Sequence, residues 1–230
     1  AIFMVDASKG YIKDGNKNRL REQDIHKIVD VFNNQIEVPK FSRLVPISEI
    51  SDPKNDYNLN IPRYIDSQEE EDLQDIEAHL LGGIPARDID NLAEYWTTCP
   101  TLKNELFAPN RPGYYTLKVE KEKIKATILA NAQFLEYSRK VEEAFEGWKK
   151  EVEPLLYNLQ VGSKPKELIA TLSEKLLAAF ENNSLIDKYD VYQKLMDYWT
   201  ETMHDDTYLI STEGWKAEPI AVKNAKGKEV

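Results

Sequence analysis

The side chains best suited to chemistry are scattered. His26, His79 and His204 lie far apart in the sequence, and none has a second His or Cys at the spacing a metal site needs. Packing or surface roles suit His26 and His79. His204-Asp205-Asp206 has the donor types to hold a divalent cation, yet it follows Met203 at an expected helix end, where such residues are common, so no metal centre is expected. The lone Cys99 would need a neighbouring base and a lowered pKa to act as a nucleophile. The sequence supplies neither, and the residue reads as an inert thiol. None of the nine glycines stands two apart and no G-x-x-x-x-G-K string occurs, so no phosphate- or dinucleotide-cradling loop is expected.

Two charged clusters remain. Lys9, Lys13, Lys17, Arg19 and Arg21, interleaved with Tyr11, Asn16 and Asn18, fall largely on an expected loop, from which they could reach phosphates or a partner. A solvated loop accounts for them equally well. The run Glu69-Glu70-Glu71-Asp72 could dock a basic partner, but an acidic first turn complementing a helix dipole is the plainer reading.

These residues must be positioned by a real core. A chain of 230 residues can bury roughly 70% of the surface its unfolded form exposes, and 41% hydrophobic with 30% charged residues excludes disordered, collagen-like and disulfide-stapled classes. A net charge of −10 argues against coating bare nucleic acid unaided, so any DNA contact is local or shared with a partner. The acidity is concentrated in residues 67–110, which carry two basic and ten acidic side chains. A single cysteine favours a reducing, cytoplasmic setting. No apolar run approaches the ~18 residues of a membrane span, and no membrane partner is expected. The apolar opening Ile2-Phe3-Met4-Val5 lacks the leader of a signal peptide. It reads as a buried-type strand with nothing before it, as though the chain were a piece of something larger.

The patterning indicates a mainly α fold with a small α+β N-terminal region, and a helical bundle or antiparallel helical layer in the C-terminal half. Phe3-Met4-Val5 and Leu44-Val45 read as short strands, expected to pair with each other or, for the first, with another chain. Lys13–Lys17 reads as a loop around Gly15. Leu20, Ile25, Ile28, Val29, Phe32 and Ile36 give a helix one apolar face, with Arg21, Glu22, Lys27 and Asp30 in water and Pro39 marking its end. Asn55–Asp66 reads as extended. From Glu69 onward the signal is almost entirely helical: a stripe of Leu73, Ile76 and Leu80 stopped by Gly82-Gly83, a helix from Pro85 with Ile89, Leu92 and Trp96 inward, and a further turn at Leu102, Leu106 and Phe107. One long helix is expected between Lys121 and Glu153, then helices over Pro165–Phe180 and Asp187–Met203, then a polar tail from Glu213 that holds Trp215.

Several strings are more specific than any stripe. Phe3-Met4-Val5-Asp6-Ala7-Ser8-Lys9-Gly10, Asn16-Lys17-Asn18-Arg19-Leu20-Arg21, Asp24-Ile25-His26-Lys27-Ile28-Val29, Phe41-Ser42-Arg43 and Asn55-Asp56-Tyr57-Asn58-Leu59-Asn60-Ile61-Pro62-Arg63-Tyr64 together resemble the later part of the modification (M) subunit of type I restriction-modification systems. Gly82-Gly83-Ile84-Pro85-Ala86-Arg87-Asp88-Ile89-Asp90 and Arg111-Pro112-Gly113-Tyr114 resemble the extended C-terminal half of one group of these subunits.

The resemblance implies an S-adenosylmethionine-dependent adenine-N6 DNA methyltransferase that works with a specificity (S) subunit and, for cleavage, a restriction (R) subunit. It divides the chain into a methyltransferase remnant, 1–66, and a helical assembly module, 67–230. The family's glycine-rich cofactor loop and Asn-Pro-Pro-aromatic motif are both absent here. The nearest string, Pro109-Asn110-Arg111-Pro112, has the wrong order. The expectation is therefore a fragment with no cofactor and no catalytic residue of its own, which assembles but does not methylate alone. The alternative is a free-standing helical interaction protein with no enzymatic parent. Where DNA or the rest of a catalytic domain touches this region, the expected contacts are Lys9, Arg19, Arg21, Asn58, Asn60 and Arg63, although Asn58 and Asn60 also suit the capping of turns.

Overall fold

The computed structural model describes residues 1–68 and 74–216. Leu73, the acidic run Glu69-Glu70-Glu71-Asp72 and the tail beyond Lys216 lie outside the described residues. The chain opens with β1 (Ile2–Val5), β2 (Ile12–Asp14), β3 (Lys17–Arg19), α1 (Glu22–Asn34), β4 (Ser42–Val45) and the single turn α2 (Ile47–Ile50). As the strand patterns suggested, β1 pairs with β4, antiparallel, from Ile2 opposite Val45 to Val5 opposite Ser42. Alternation sends Met4 and Val45 to one face, where Ile50, Tyr64 and Ile65 close a small core. On the other face Phe3 meets Phe32 of α1 edge-on, ring centres 6.3 Å apart.

Three local readings change here. Residues 13–17 are the tip of a hairpin rather than a plain loop: β2 pairs with β3, and Gly15, at φ +59°, takes a left-handed position favoured in two-residue hairpin turns. Helix α1 stops at Asn34, where Gln35 turns left-handed (φ +50°), well before Pro39. Asn55–Asp66 is a run of turns instead of an extended segment, with a 3-10 turn at Ile61–Arg63 that delivers Tyr64 and Ile65 to the core and leaves Tyr57 and Leu59 exposed.

The apolar face of α1 does not point at a core. Ile25, Val29 and Phe32 are 45%, 50% and 58% exposed, and only Val31 on this helix is a buried hydrophobic. Its polar side, read as solvated, makes the contact with the helical half of the chain instead.

The middle of the chain holds α3 (Ile76–Leu81), β5 (Ile84–Pro85), α4 (Ala86–Asp90), α5 (Ala93–Thr98), α6 (Pro100–Leu106), β6 (Phe107–Pro109) and β7 (Tyr114–Leu117). Gly82 ends α3 at φ +72°, but Ile76 and Leu80 remain exposed. The antiparallel sheet β5-β7-β6 replaces an expected all-helical stretch and takes Phe107 out of its expected helix. Two- to four-residue strands are too short to show an alternating pattern. Ile89, Cys99, Leu102 and Leu106 are buried in this region.

The remainder is helical: α7 (Ile124–Ala130), α8 (Ala132–Tyr157), α9 (Pro165–Phe180), α10 (Lys188–Tyr198), a π-helical turn at Trp199–Met203 and α11 (His204–Glu213). The single long helix of the sequence reading is broken at Asn131. This buried residue turns to ψ 129° and caps α8 by accepting from the backbone N–H groups of Gln133 and Phe134. Helix α9 has the ends its pattern indicates, and it packs against both α8 and α10 around Val152, Leu172, Leu176, Phe180, Leu195 and Trp199. Helix α11 occupies the stretch between the expected helix end at Met203 and the expected tail from Glu213, to which the sequence reading gives no element; with Thr207 and Ser211 buried and Leu209 exposed, it has almost no apolar periodicity. The molecule is mainly α with a small α+β region at its N-terminal end.

Candidate functional site

The residues expected to make contacts fall into two separate groups, each held by its own neighbours. At the hairpin, Lys9 is exposed and the Arg19 Nε lies 3.2 Å from Asp14. Arg21 is committed inward: its Nε and Nη2 donate to the Asp24 carboxylate at 2.9 and 2.8 Å, and its backbone N–H donates to the same carboxylate at 2.8 Å. Asp24 is buried at the start of α1, and these donors, the Arg21 guanidinium first, hold its carboxyl below the usual carboxylate range despite burial. Gly10 explains itself at this point, because a Cβ there would come within 3.1 Å of the Asp24 oxygen.

In the second group the Asn58 side-chain oxygen accepts the Asn60 N–H at 2.9 Å and its carbonyl accepts the Tyr64 hydroxyl at 2.5 Å, while Arg63 Nη1 donates to the Lys54 carbonyl at 3.2 Å. These bonds tie the turns of 51–66 together. Asp6 behaves similarly at the end of β1. It accepts the Ser8 N–H at 2.9 Å, and hydrogen bonds from Ser67 and Ser8 keep its carboxyl low.

The histidines are apart. His26 stacks on Tyr192, ring centres 4.6 Å apart, His79 lies 3.3 Å from the Gln74 side-chain oxygen, and His204 pairs with Asp205 at 2.8 Å. Among the described residues no three His, Cys, Asp or Glu side chains converge as metal ligands. Cys99 is buried, which pushes its thiol pKa up.

Two surfaces were not anticipated. The first joins α1 to α10 through polar groups. The Gln23 N–H, one of the unsatisfied donors of a helix start, donates to the Gln193 side chain at 3.0 Å, and Gln23 Nε2 donates to Asp190 at 2.8 Å. Tyr189 and Lys188 both donate to Asp30, and burial together with that carboxylate drives the Tyr189 hydroxyl pKa far upward. The sequence showed each half as an ordinary wet helix face, and only their meeting makes them an interface.

The second surface is an apolar groove of about 650 Å³ above α9, between α8 and α10. Val152, Leu172, Leu176 and Leu195 form its floor, and Phe145 (43% exposed) and Tyr198 (56% exposed) stand on its rim. Trp148 is fixed in its wall by donating to the Leu172 carbonyl at 3.0 Å. Helical spacing marks Phe145, Trp148, Leu172, Leu176, Leu195 and Tyr198 as apolar helix positions but not Val152, and it could not tell a covered core from an open one. No helix of the described residues is long and apolar enough to cross a membrane.

Comparison with known proteins matches residues 1–73 to the N-6 DNA Methylase family. The type I restriction enzyme MjaVII methylase subunit of Methanocaldococcus jannaschii is 46% identical over 63 residues, which are 27% of this chain and 11% of that protein. The MpnII methylase subunit of Mycoplasma pneumoniae is 33% identical over 76 residues, 33% of this chain and 14% of that protein. The MjaVIII methylase subunit of M. jannaschii is 37% identical over 78 residues, again 33% of this chain and 13% of that protein. The chain thus spans a small part of the length of these relatives. No solved structure matches it. The resemblance drawn from residues 2–66 is borne out over that stretch; the family match ends at residue 73, before the Gly82–Asp90 and Arg111–Tyr114 strings.

Proposed function

We propose that this chain is a late portion of the methylase subunit of a type I restriction-modification system, with residues 1–66 completing a methyltransferase domain and residues 67–230 forming an assembly module. The match of residues 1–73 to the methylase family carries the first half of this reading. It also weighs against a free-standing helical protein without an enzymatic parent. In the whole subunit the activity is transfer of a methyl group from S-adenosylmethionine to adenine N6 in DNA, in the cytoplasm, together with specificity and restriction subunits.

The residues present do not fit that methyl donor. The cleft of about 570 Å³ between the hairpin and α10 is lined by Arg19, Arg21, Asp190 and Asp197, and its guanidinium groups are already engaged by Asp14 and Asp24. Such a cleft has neither a glycine cradle nor an apolar slot for a purine. The chain's own contribution is therefore docking. Along α1 the bare stripe Ile25, Val29 and Phe32 adjoins β1, whose sheet has, among the described residues, only β4 as its other strand. Together they have the composition of a sheet edge and covering helix that continue into a larger α/β domain.

The groove between α8 and α10 is the observation that carries the assembly half. Three helices with an apolar floor and aromatic rims offer a fourth helix a place to complete a bundle, and the specificity subunit is the partner we assign to it. The test is capture of the chain by a type I specificity subunit from the same source. The intact chain should be retained, whereas Phe145→Glu with Tyr198→Glu should lose retention at unchanged helical content. Equal retention of both forms would remove the groove from the account.

A further inference from the structure

The β2–β3 hairpin is an unusual use of sequence. Among the described residues its two three-residue strands pair only with each other, and every residue from Lys13 to Leu20 is exposed. An isolated two-stranded hairpin gains little stability of its own, and this one buries no apolar face that would offset the ordering. Its charge is equally distinctive. The chain as a whole carries −10, yet residues 9–19 hold Lys9, Lys13, Lys17 and Arg19 against Asp14 alone.

The hydrogen bonds separate spent cations from available ones. Arg19 is neutralised by Asp14, and Arg21, just beyond the hairpin, is consumed by Asp24. Lys13 is oriented without losing its charge, because its partners are neutral: its Nζ donates to the Asn18 side-chain oxygen at 2.7 Å and stands 5.5 Å from the centre of the Tyr11 ring. Among the described residues Lys17, opposite Asp14 across the turn, makes no ion pair, and Lys9 is exposed at the approach to β2.

We infer that this hairpin is a contact for the sugar-phosphate backbone of duplex DNA, made by Lys9, Lys13 and Lys17. A cationic ribbon standing off an acidic body presents one point at which a polyanion is attracted, while the remaining surface repels it and so fixes the approach. A two-stranded ribbon also has the width that the ~12 Å major groove admits. Contacts of this kind position the protein and read no sequence. The choice of DNA over another polyanion rests on the methylase reading; the hairpin's cationic character does not.

The test is fluorescence anisotropy of a 30-base-pair duplex titrated with the full chain from 20 to 200 mM salt. Three phosphate contacts give a slope of about −2.7 in log affinity against log salt, hence a loss of about 40-fold between 50 and 200 mM. Lys9→Ala, Lys13→Ala and Lys17→Ala together should abolish that dependence, and the three Lys→Arg replacements should restore it. The absence of DNA binding at 20 mM salt, an unchanged slope in the alanine variant, or tighter binding of a poly-glutamate peptide than of the duplex would each overturn the inference. Capture by the specificity subunit should be identical in all of these variants, so failure here is distinguishable from failure of the methylase reading.

Discussion

At the scale of single residues, the strongest polar arrangement is the one around Asp24. A buried carboxylate receives two guanidinium donors and a backbone N–H, and Gly10 leaves it room. Replacing Asp24 by Asn removes the charge-assisted bonds and should cost about 1.5–3 kcal/mol in urea unfolding. The same group sets a pH dependence. Its folded-state pKa lies below the ordinary 3.8, so its stabilisation is complete above about pH 4 and disappears as the pH falls through the lower folded value. Acid titration of unfolding should show that loss in the native chain and less of it in the Asp24→Asn chain. The sequence named Arg21 and Asn58 as residues with hydrogen-bonding capacity, and their partners Asp24, Asn60 and Tyr64 are all within six positions. What a linear reading lacked was direction: a side chain with free donors in the sequence can spend all of them on its own backbone and neighbours.

At the scale of elements, legibility followed periodicity. Helix α9 and the β1–β4 pairing were readable because Leu168, Leu172, Leu176 and Phe180 keep helical spacing and because Phe3-Met4-Val5 and Leu44-Val45 are short apolar runs, although β4 also takes in Ser42 and Arg43. The break at Asn131 was hidden because Ile124, Ile128 and Leu135 continue the same spacing through it. Asn131 also donates through Nδ2 to Thr101 and Glu105, at 3.0 and 2.9 Å, so it locks α6 to the start of α8. Asn131→Ala should therefore destabilise the chain by about 1–2 kcal/mol from the lost cap, measured by thermal or urea unfolding; Thr101 and Glu105 are exposed and turn to water or, for Thr101, keep Gln133. For α1 the period is right, but the side left to water is the one that is packed. Helical spacing identifies an apolar face, and whether that face is covered depends on contacts distant in sequence. The polar side of α1 meets α10 across some 170 positions, through Gln23 and Gln193.

At the scale of the whole molecule, two apolar surfaces lie open at opposite stretches of sequence: the α1 stripe beside β1, and the groove of α8, α9 and α10. A monomer rarely leaves such surfaces bare unless something binds there. The first lies within the stretch that matches the methylase family, and the second lies outside it. Under the function proposed above they would be two ends of one adaptor, and the polar contact of α1 with α10 lies between them. Interfaces of that polar kind allow the joined parts to move relative to each other. The most direct measurement is backbone hydrogen exchange of this sequence alone and within the assembled methylase–specificity complex. The account predicts strong new protection in the assembly at residues 2–5, 25–36 and 145–157, with little change in the buried face of α9. Exchange at those three stretches as fast in the complex as in the isolated chain would contradict it.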